Sequence, residues 1–267
     1  MNKSYLPKIS AIWDKVWLDK NNLIEWDYLS QVVLDVLLEE SPEKKQTIIE
    51  VGSGSGRISH KLGQLGAKVT LLDISNQAIQ EGKQLFQHTQ TPCKLVRGSL
   101  FQIPLHESSY DVVWNSGVIE HYLNDELRLS IKEMARVSRE KGIVIVIVPY
   151  AGSILHTLGK TVIEKCVEYP YGGEYPIKSL QPEMKDISCE LVKEEYSAGF
   201  FVLFVGAFKR LMLFRFGIIF KPFFLLLNSL FLYFSRHAFF SAKLRNLDLK
   251  FSKLFGGYLL VSIFRKI

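Results

Sequence analysis

The chain has 267 residues, of which 48% are hydrophobic and 22% are charged, and its formal net charge is +6. These values are typical of a globular protein and exclude wholesale disorder. Its three cysteines are widely spaced, which excludes a disulfide scaffold and leaves no C-x-x-C pair for zinc, so we expect no metal site. The first residues lack the apolar run of a signal peptide, and we therefore expect a cytoplasmic protein.

Charged and aromatic residues are distributed unevenly along the chain. Residues 196–267 contain eleven Lys and Arg but one acid, Asp248, and thirteen of the 18 phenylalanines fall between Phe200 and Phe240. The bases are diluted among Phe and Leu and form no cluster of four or more. This pattern favours a lipid surface or a buried partner, and we expect no binding to nucleic acid.

Two helices are predicted at the start of the chain, one carrying Trp13 and Trp17 and the second covering Leu29–Leu38. From residue 47 onward, short apolar runs alternate with helical patterns. The predicted strands cover residues 47–51, 68–73, 93–98, 110–115 and 142–149. The predicted helices between them cover residues 58–65, 75–88 and 125–138, and Ser75 is the expected N-cap of the second. This alternation predicts βαβ units and a parallel sheet.

The pattern weakens after Pro149, where we predict helices at Thr157–Glu168 and Lys178–Ile187, an edge strand at 188–198 and a final strand at 257–266. We expect an α/β fold with a doubly wound, mostly parallel, seven-stranded sheet, helices on both faces and an apolar helical insertion before the last strand. The expected division is an N-terminal helical cap over 1–46, a cofactor-binding core over 47–198, a basic apolar insertion over 199–256 and the final strand over 257–267.

A glycine-rich turn connects the first strand to the helix that follows it. Gly52, Gly54 and Gly56 form a G-x-G-x-G pattern, which lets the backbone turn tightly and approach a ligand. A dinucleotide fingerprint would need its third glycine where Arg57 stands. Asp73 ends the second strand, where its carboxylate can accept both hydroxyls of a ribose. The alternative for the glycines is a tight turn that binds no ligand, and the alternative for Asp73 is a helix-capping or loop aspartate.

Four stretches, IIEVGSGSGRIS, VTLLDIS, YDVVWNSGVIEHY and GIVIVIVPY, resemble the class I S-adenosyl-L-methionine-dependent methyltransferases, in the type 11 branch that includes ubiquinone and menaquinone biosynthesis enzymes. The resemblance covers about residues 47–150 and implies a Rossmann-like fold with S-adenosyl-L-methionine as cofactor. It also implies that the residues binding this cofactor are Glu50, Gly52, Ser53, Gly54, Gly56, Asp73, Ile74, Ser99, Leu100 and Asn115.

The resemblance assigns different parts of the cofactor to these residues. The glycine loop would wrap the methionine part with Glu50 supporting the loop, Asp73 would hold the ribose, and Ile74 would lie against the adenine. Ser99 stands where the family usually has an aspartate that bonds the adenine, so the Ser99 hydroxyl or the Leu100 N–H would take that contact.

His121 is the candidate catalytic residue, because it follows the fourth strand and imidazole titrates near neutral pH. It would act as a base where the acceptor must lose a proton, and it would also contact the substrate. A histidine hydrogen-bonded to the backbone at a helix start is the alternative. Tyr150 and Tyr171 are candidates for the acceptor pocket, with ordinary packing as their alternative.

The apolar segment over residues 200–245 indicates where in the cell the enzyme would act. Residues 200–245 fit a helix lying at a membrane interface with its bases near anionic head groups, at the inner face of the membrane. One true span, a buried subdomain and a homo-oligomer interface are the alternatives. We therefore expect methylation of oxygen or nitrogen on a small or lipid-like acceptor at a membrane surface. The alternative functions are an NAD-dependent oxidoreductase of Rossmann type and a non-catalytic membrane-associated protein that retains the fold.

Overall fold

The computed structural model of the chain describes residues 5–18, 26, 28–41, 43, 45–153, 174–175, 177–197, 199, 226, 229 and 238–267. Within these ranges seven strands form one sheet. They are β1 Thr47–Val51, β2 Lys68–Asp73, β3 Cys93–Arg97, β4 Tyr110–Ser116, β5 Ser138–Pro149, β6 Cys189–Ser197 and β7 Leu259–Lys266.

The strand order is β3-β2-β1-β4-β5-β7-β6. Strands β1 to β5 pair in parallel, whereas β7 pairs antiparallel with both β5 and β6. The prediction of a seven-stranded, mostly parallel, doubly wound sheet is confirmed. The sheet reverses its winding direction between β1 and β4, which places a crevice at the carboxyl ends of these two strands.

The helices of the described ranges are α1 Tyr5–Leu18, α2 Tyr28–Glu40, α3 Arg57–Gln64, α4 Asn76–His88, α5 Asn124–Val137 and α6 Ala238–Phe255. Ser75 is the N-cap of α4, as its sequence predicts, because its hydroxyl accepts a hydrogen bond from the Ala78 N–H at 3.1 Å. Two short 3-10 turns cover Ile119–His121 and Gln181–Met184.

The apolar core has a layer on each face of the sheet. On one face the alternate β5 residues Val144, Val146 and Val148 belong to a cluster that includes Ile131 and Met134 of α5. On the other face the next residues of β5, such as Ile145, share a cluster with α2 and α3. The continuous β-branched run of β5 is explained by this burial on both faces.

One prediction in the C-terminal half is wrong. Lys178–Ile187 is not an α-helix, since the backbone makes a single 3-10 turn over Gln181–Met184. Pro182 cannot donate a backbone hydrogen bond, and Asp186 adopts a left-handed φ of 65°, so a longer helix does not form. The predicted helix Thr157–Glu168 lies outside the described residues.

The predicted insertion over 199–256 is described mainly at its ends, by Gly199 and by α6. The segment Phe216–Ser235, which is long enough by sequence to be considered as a span, lies outside the described residues except at Leu226 and Ser229. Among the helices that the structure does describe, none combines the length and the hydrophobicity needed to cross a membrane.

Candidate active site

A cleft of about 370 Å³ opens at the carboxyl ends of β1 and β4, where the strand order reverses. Its floor is the glycine loop between β1 and α3, and its sides come from α1, from α2 and from the turn after β4. This is the position at which open α/β sheets bind nucleotide ligands.

The glycine loop follows β1 closely and is fixed to the neighbouring strand. The backbone N–H groups of Gly52 and Ser53 both donate to the carbonyl of Leu72, at 2.7 and 3.0 Å. Gly54 has a φ of 53°, and a Cβ placed there would lie 2.2 Å from Cζ2 of Trp17. Only glycine fits at this position, because the indole of α1 packs directly on the loop backbone.

Asp73 connects the glycine loop to the start of α4. Its Oδ2 accepts from the Gly54 N–H and its Oδ1 accepts from the Ser75 N–H, both at 2.8 Å. Burial raises the pKa of Asp73 to about 6, against the opposing effect of these backbone hydrogen bonds. Each carboxylate oxygen can accept a second hydrogen bond, so the side chain can still receive two ribose hydroxyls from the cleft.

Glu50 lies at the floor of the cleft and is only 8% exposed. Burial raises its pKa to about 8, because the cost of removing the carboxylate from water outweighs the opposing effects of Ser59 and Arg57. In the part of the chain that the structure describes, its Oε2 has no hydrogen-bond partner. A positively charged ligand group beside this carboxyl would favour its ionised form.

Helix α1 forms a wall of the cleft and is tied to the start of α4. The Asp14 carboxylate accepts from the Ser75 hydroxyl at 2.6 Å and from the Gln77 N–H at 3.1 Å. The Ser10 hydroxyl donates to the Ile74 carbonyl at 3.0 Å. Trp13, Val16 and Trp17 line the cleft from this helix, which explains the two tryptophans at helical spacing.

His121 lines the cleft from the 3-10 turn after β4. Its ring packs edge to face against Trp13 with 5.4 Å between the ring centroids. The carbonyl of the preceding Glu120 accepts from the Tyr175 N–H at 2.7 Å, and Glu174 also lines the cleft. The segment 174–175 thus supports the turn that presents His121.

The cleft brings together nine of the residues expected from the sequence, which are Glu50, Gly52, Ser53, Gly54, Asp73, Ile74, Ser99, Leu100 and His121. The Ser99 hydroxyl accepts from the Phe101 N–H at 3.2 Å, which closes the turn after β3.

The remaining candidates lie elsewhere. Gly56 is the N-cap of α3. Asn115 is fully buried below the loop and donates from Nδ2 to the Val51 carbonyl at 2.5 Å. Tyr150 packs on the ring of Tyr196 at 4.0 Å between centroids. Tyr171 is outside the described residues.

Several residues of the cleft lining were not predicted from the sequence, among them the polar pair Arg57 and Ser30. Arg57 and Ser30 line the cleft, and the Arg57 guanidinium donates to the Ser30 hydroxyl from Nε at 3.2 Å and from Nη2 at 3.1 Å. Arg57 directly follows the glycine loop, so its position in the sequence was a usable signal. Ser30 carries no such signal, because its position depends on how α2 packs against α3.

The arrangement fits a nucleoside cofactor with a charged tail. The cleft offers a buried carboxyl group at Asp73, a glycine floor that admits close approach, and the Oε2 of the buried Glu50, which has no hydrogen-bond partner among the described residues. Fold and site together define a cofactor-dependent enzyme of the Rossmann-like class.

Comparison with known proteins specifies the class further. Residues 49–146 match the methyltransferase domain family. A ubiquinone biosynthesis O-methyltransferase of Pelagibacter ubique is 26% identical over 192 residues, which cover 67% of this chain and 74% of that protein. A malonyl-[acyl-carrier protein] O-methyltransferase of Enterobacter lignolyticus is 27% identical over 111 residues, but the match spans only 42% of that protein.

Solved structures agree on the fold. The magnesium protoporphyrin IX methyltransferase of Synechocystis, with bound S-adenosylhomocysteine, has a TM-score of 0.58 at 14% identity, over 96% of this chain and 94% of that one. The 1,6-didemethyltoxoflavin-N1-methyltransferase of Burkholderia thailandensis, also with bound S-adenosylhomocysteine, has a TM-score of 0.61 at 11% identity, over 98% and 89%.

These similarities support a class I S-adenosylmethionine-dependent methyltransferase of the type 11 branch, as the sequence predicts. Its cofactor is S-adenosylmethionine, as predicted. The comparisons support neither the oxidoreductase nor the non-catalytic alternative.

Proposed function

We propose that this enzyme methylates an oxygen or nitrogen atom of a small, lipid-like acceptor at a membrane surface. The observation that carries the proposal is the position of Gly199, where the apolar segment begins. A Cβ at Gly199 would lie 2.5 Å from Cβ of Tyr258 and 3.5 Å from Cδ2 of Leu29, and both of these residues line the cleft. The phenylalanine-rich segment therefore starts beside the opening through which an acceptor would enter.

The charge of this segment supports contact with anionic lipids. Asp248 is the one acid in residues 196–267, and it is only 1% exposed. The cost of burying it is offset by two hydrogen bonds that it accepts, from the Gly199 N–H at 2.6 Å and from the Tyr28 hydroxyl at 3.0 Å. The one acid of this region, which could repel an anionic surface, is thus buried, while residues 200–245 contain seven bases and no acid.

The walls near Gly199 suit an apolar acceptor. Leu29 and Val33 of α2, Ile147 of β5, and Tyr258 and Leu259 at the start of β7 line this side of the cleft. Apolar walls hold an acceptor through burial of its hydrocarbon surface and exclude water from the reacting centre. An acceptor dissolved in lipid would reach such a pocket by lateral diffusion.

His121 is the proposed base. S-adenosylmethionine supplies a methyl group on a positively charged sulfur, and the sulfur keeps the electron pair when the methyl leaves. A hydroxyl acceptor must lose its proton as it forms the new bond, and the imidazole of His121 would take that proton. Trp13 and the turn after β4 hold the ring at the cleft. A His121→Asn variant is expected to lose the acidic limb of its pH–rate profile; an unchanged profile would exclude this role.

Vesicle flotation tests the membrane contact. The protein should float with vesicles containing anionic lipid, and less so at high salt, because attraction between exposed charges is screened. Replacing four bases of the apolar segment with Gln (Lys209, Arg210, Arg215 and Lys221) should reduce flotation. A matched control replaces four exposed lysines of the methyltransferase core, which are Lys83, Lys94, Lys132 and Lys185. An equal loss in both variants, or no flotation at low salt, would contradict the proposal.

The acceptor class can be tested without knowing the acceptor. The enzyme is incubated with a membrane extract and S-adenosylmethionine carrying a radioactive methyl group. We expect the label in the fraction that partitions into organic solvent. Label found only in the water-soluble fraction or on protein would contradict a lipid-like acceptor.

A further inference from the structure

Arg57 is the one Lys or Arg among the described residues that line the cleft. The same lining contains four carboxyl groups, on Glu50, Asp73, Glu120 and Glu174. A cleft with this balance is suited to a ligand that is cationic overall and carries a single anionic group. At neutral pH, S-adenosylmethionine has a sulfonium, an ammonium and one carboxylate.

The guanidinium of Arg57 is oriented by hydrogen bonds, but these occupy only some of its N–H donors. Its Nε and Nη2 both donate to the hydroxyl of Ser30, which is 2% exposed on α2. A guanidinium has five N–H donors, and among the described residues Arg57 has no other hydrogen-bond acceptor. It makes no salt bridge within that part of the chain. A planar donor group in this state is able to bind a carboxylate through two parallel hydrogen bonds.

The position of Arg57 indicates which end of the cofactor would lie beside it. It is the first residue of α3, directly after the glycine loop, and its charge acts on the buried carboxyl of Glu50. A guanidinium and a buried carboxyl, which a ligand ammonium would favour in its ionised form, therefore lie close together at the floor of the cleft. An α-amino acid presents an ammonium and a carboxylate at similarly short separation, and the amide dipoles at the start of α3 also favour an anion there.

We infer that Arg57, oriented by Ser30, binds the carboxylate of the methionine moiety of S-adenosylmethionine. Arg57 is then a cofactor-binding residue and Ser30 a positioning residue that acts through it. The inference concerns the cofactor alone and is independent of the identity of the methyl acceptor. It can therefore fail while the proposed membrane function holds, and the reverse is also true.

The test compares two ligands by calorimetric titration. S-adenosylhomocysteine carries the carboxylate, and its decarboxylated analogue keeps the adenosine and the amine but lacks it. We expect Arg57→Gln to bind S-adenosylhomocysteine 10- to 100-fold more weakly than the wild type, the scale for hydrogen bonds to a charged group. Its affinity for the decarboxylated analogue should change by less than about twofold. Ser30→Ala should show a smaller loss with the same dependence on the carboxylate, and Ser30→Thr should restore binding.

Lys61→Gln is the matched control, because it removes one positive charge from α3 at a side chain that does not line the cleft. It should leave both affinities unchanged. Thermal unfolding of each variant verifies that it folds. If Arg57→Gln weakens both ligands equally, Arg57 only organises the loop and the inference is wrong. If it weakens neither, or if Lys61→Gln has the same effect, the inference is also wrong.

Discussion

Replacing Glu50 with glutamine should stabilise the protein at alkaline pH while weakening its cofactor binding. Glu50 is 8% exposed, and burial raises its pKa to about 8 from a reference of 4.5. Between these two pH values the unfolded chain has lost the proton that the folded protein retains. Stability contributed by this group is therefore lost as the pH rises through that window. Glutamine has nearly the same shape and does not ionise.

The structure sets the size of the effect. Each pKa unit corresponds to about 1.4 kcal/mol, so the change at Glu50 is worth at most about 5 kcal/mol at pH values above about 8. Relaxation of the surroundings and entry of water reduce this value. We expect the variant to be more stable than the wild type by about 2 kcal/mol or more at pH about 8.5, with little difference near pH 4.5. Asp73 also has a raised pKa, but it is present in both proteins and cancels in the comparison.

Urea unfolding at a series of pH values measures the difference. Glu190→Gln is the matched control, because it removes one carboxylate from an exposed position on the edge strand β6. The stability difference between Glu50→Gln and wild type should grow with pH, and that of the control should not. A difference that is constant across the pH range would refute the reasoning, because it would show that Glu50 is already ionised in the folded protein at acidic pH.

Three further substitutions test Asp73, the glycine loop and the cap of α4. Asp73→Asn should weaken binding of S-adenosylhomocysteine by about 1.5–3 kcal/mol, the scale for charged hydrogen bonds, and unchanged affinity would remove Asp73 from the site. Gly54→Ala should lower the cofactor affinity, and it should lower the free energy of unfolding by about 1–3 kcal/mol, because the new Cβ meets Trp17 at a left-handed φ. A fully stable variant with normal cofactor binding would contradict this packing. Ser75→Ala should cost about 1 kcal/mol in urea unfolding through loss of the cap of α4, and no loss would show that the cap contributes little.

The parts of the fold that follow local rules could be predicted from the sequence. Strand β1 and strand β2 have the predicted bounds, and the cap of α4 is the predicted serine, because buried apolar runs and capping residues depend on a few neighbours in sequence. The helix over Lys178–Ile187 was predicted wrongly because Pro182 and the left-handed backbone of Asp186 outweigh the apolar pattern.

The site could be predicted in part for the same reason. The glycine loop and Asp73 are adjacent to strand ends, so a parallel sheet brings them to one edge. Asn115 also lies near a strand end, but its side chain points to the Val51 carbonyl, and strand position alone does not show this. The partnership of Arg57 with Ser30 joins α3 to α2 across 27 residues of sequence, so it depends on tertiary packing.

The most direct test of the cofactor assignment is a calorimetric titration of the protein with S-adenosylhomocysteine and, separately, with NAD. We expect saturable binding of one S-adenosylhomocysteine per chain, no response to NAD, and a large loss of S-adenosylhomocysteine affinity in Asp73→Asn. Binding of NAD without a response to S-adenosylhomocysteine, or no response to either ligand, would contradict a methyltransferase cofactor site at the end of β1 and β4.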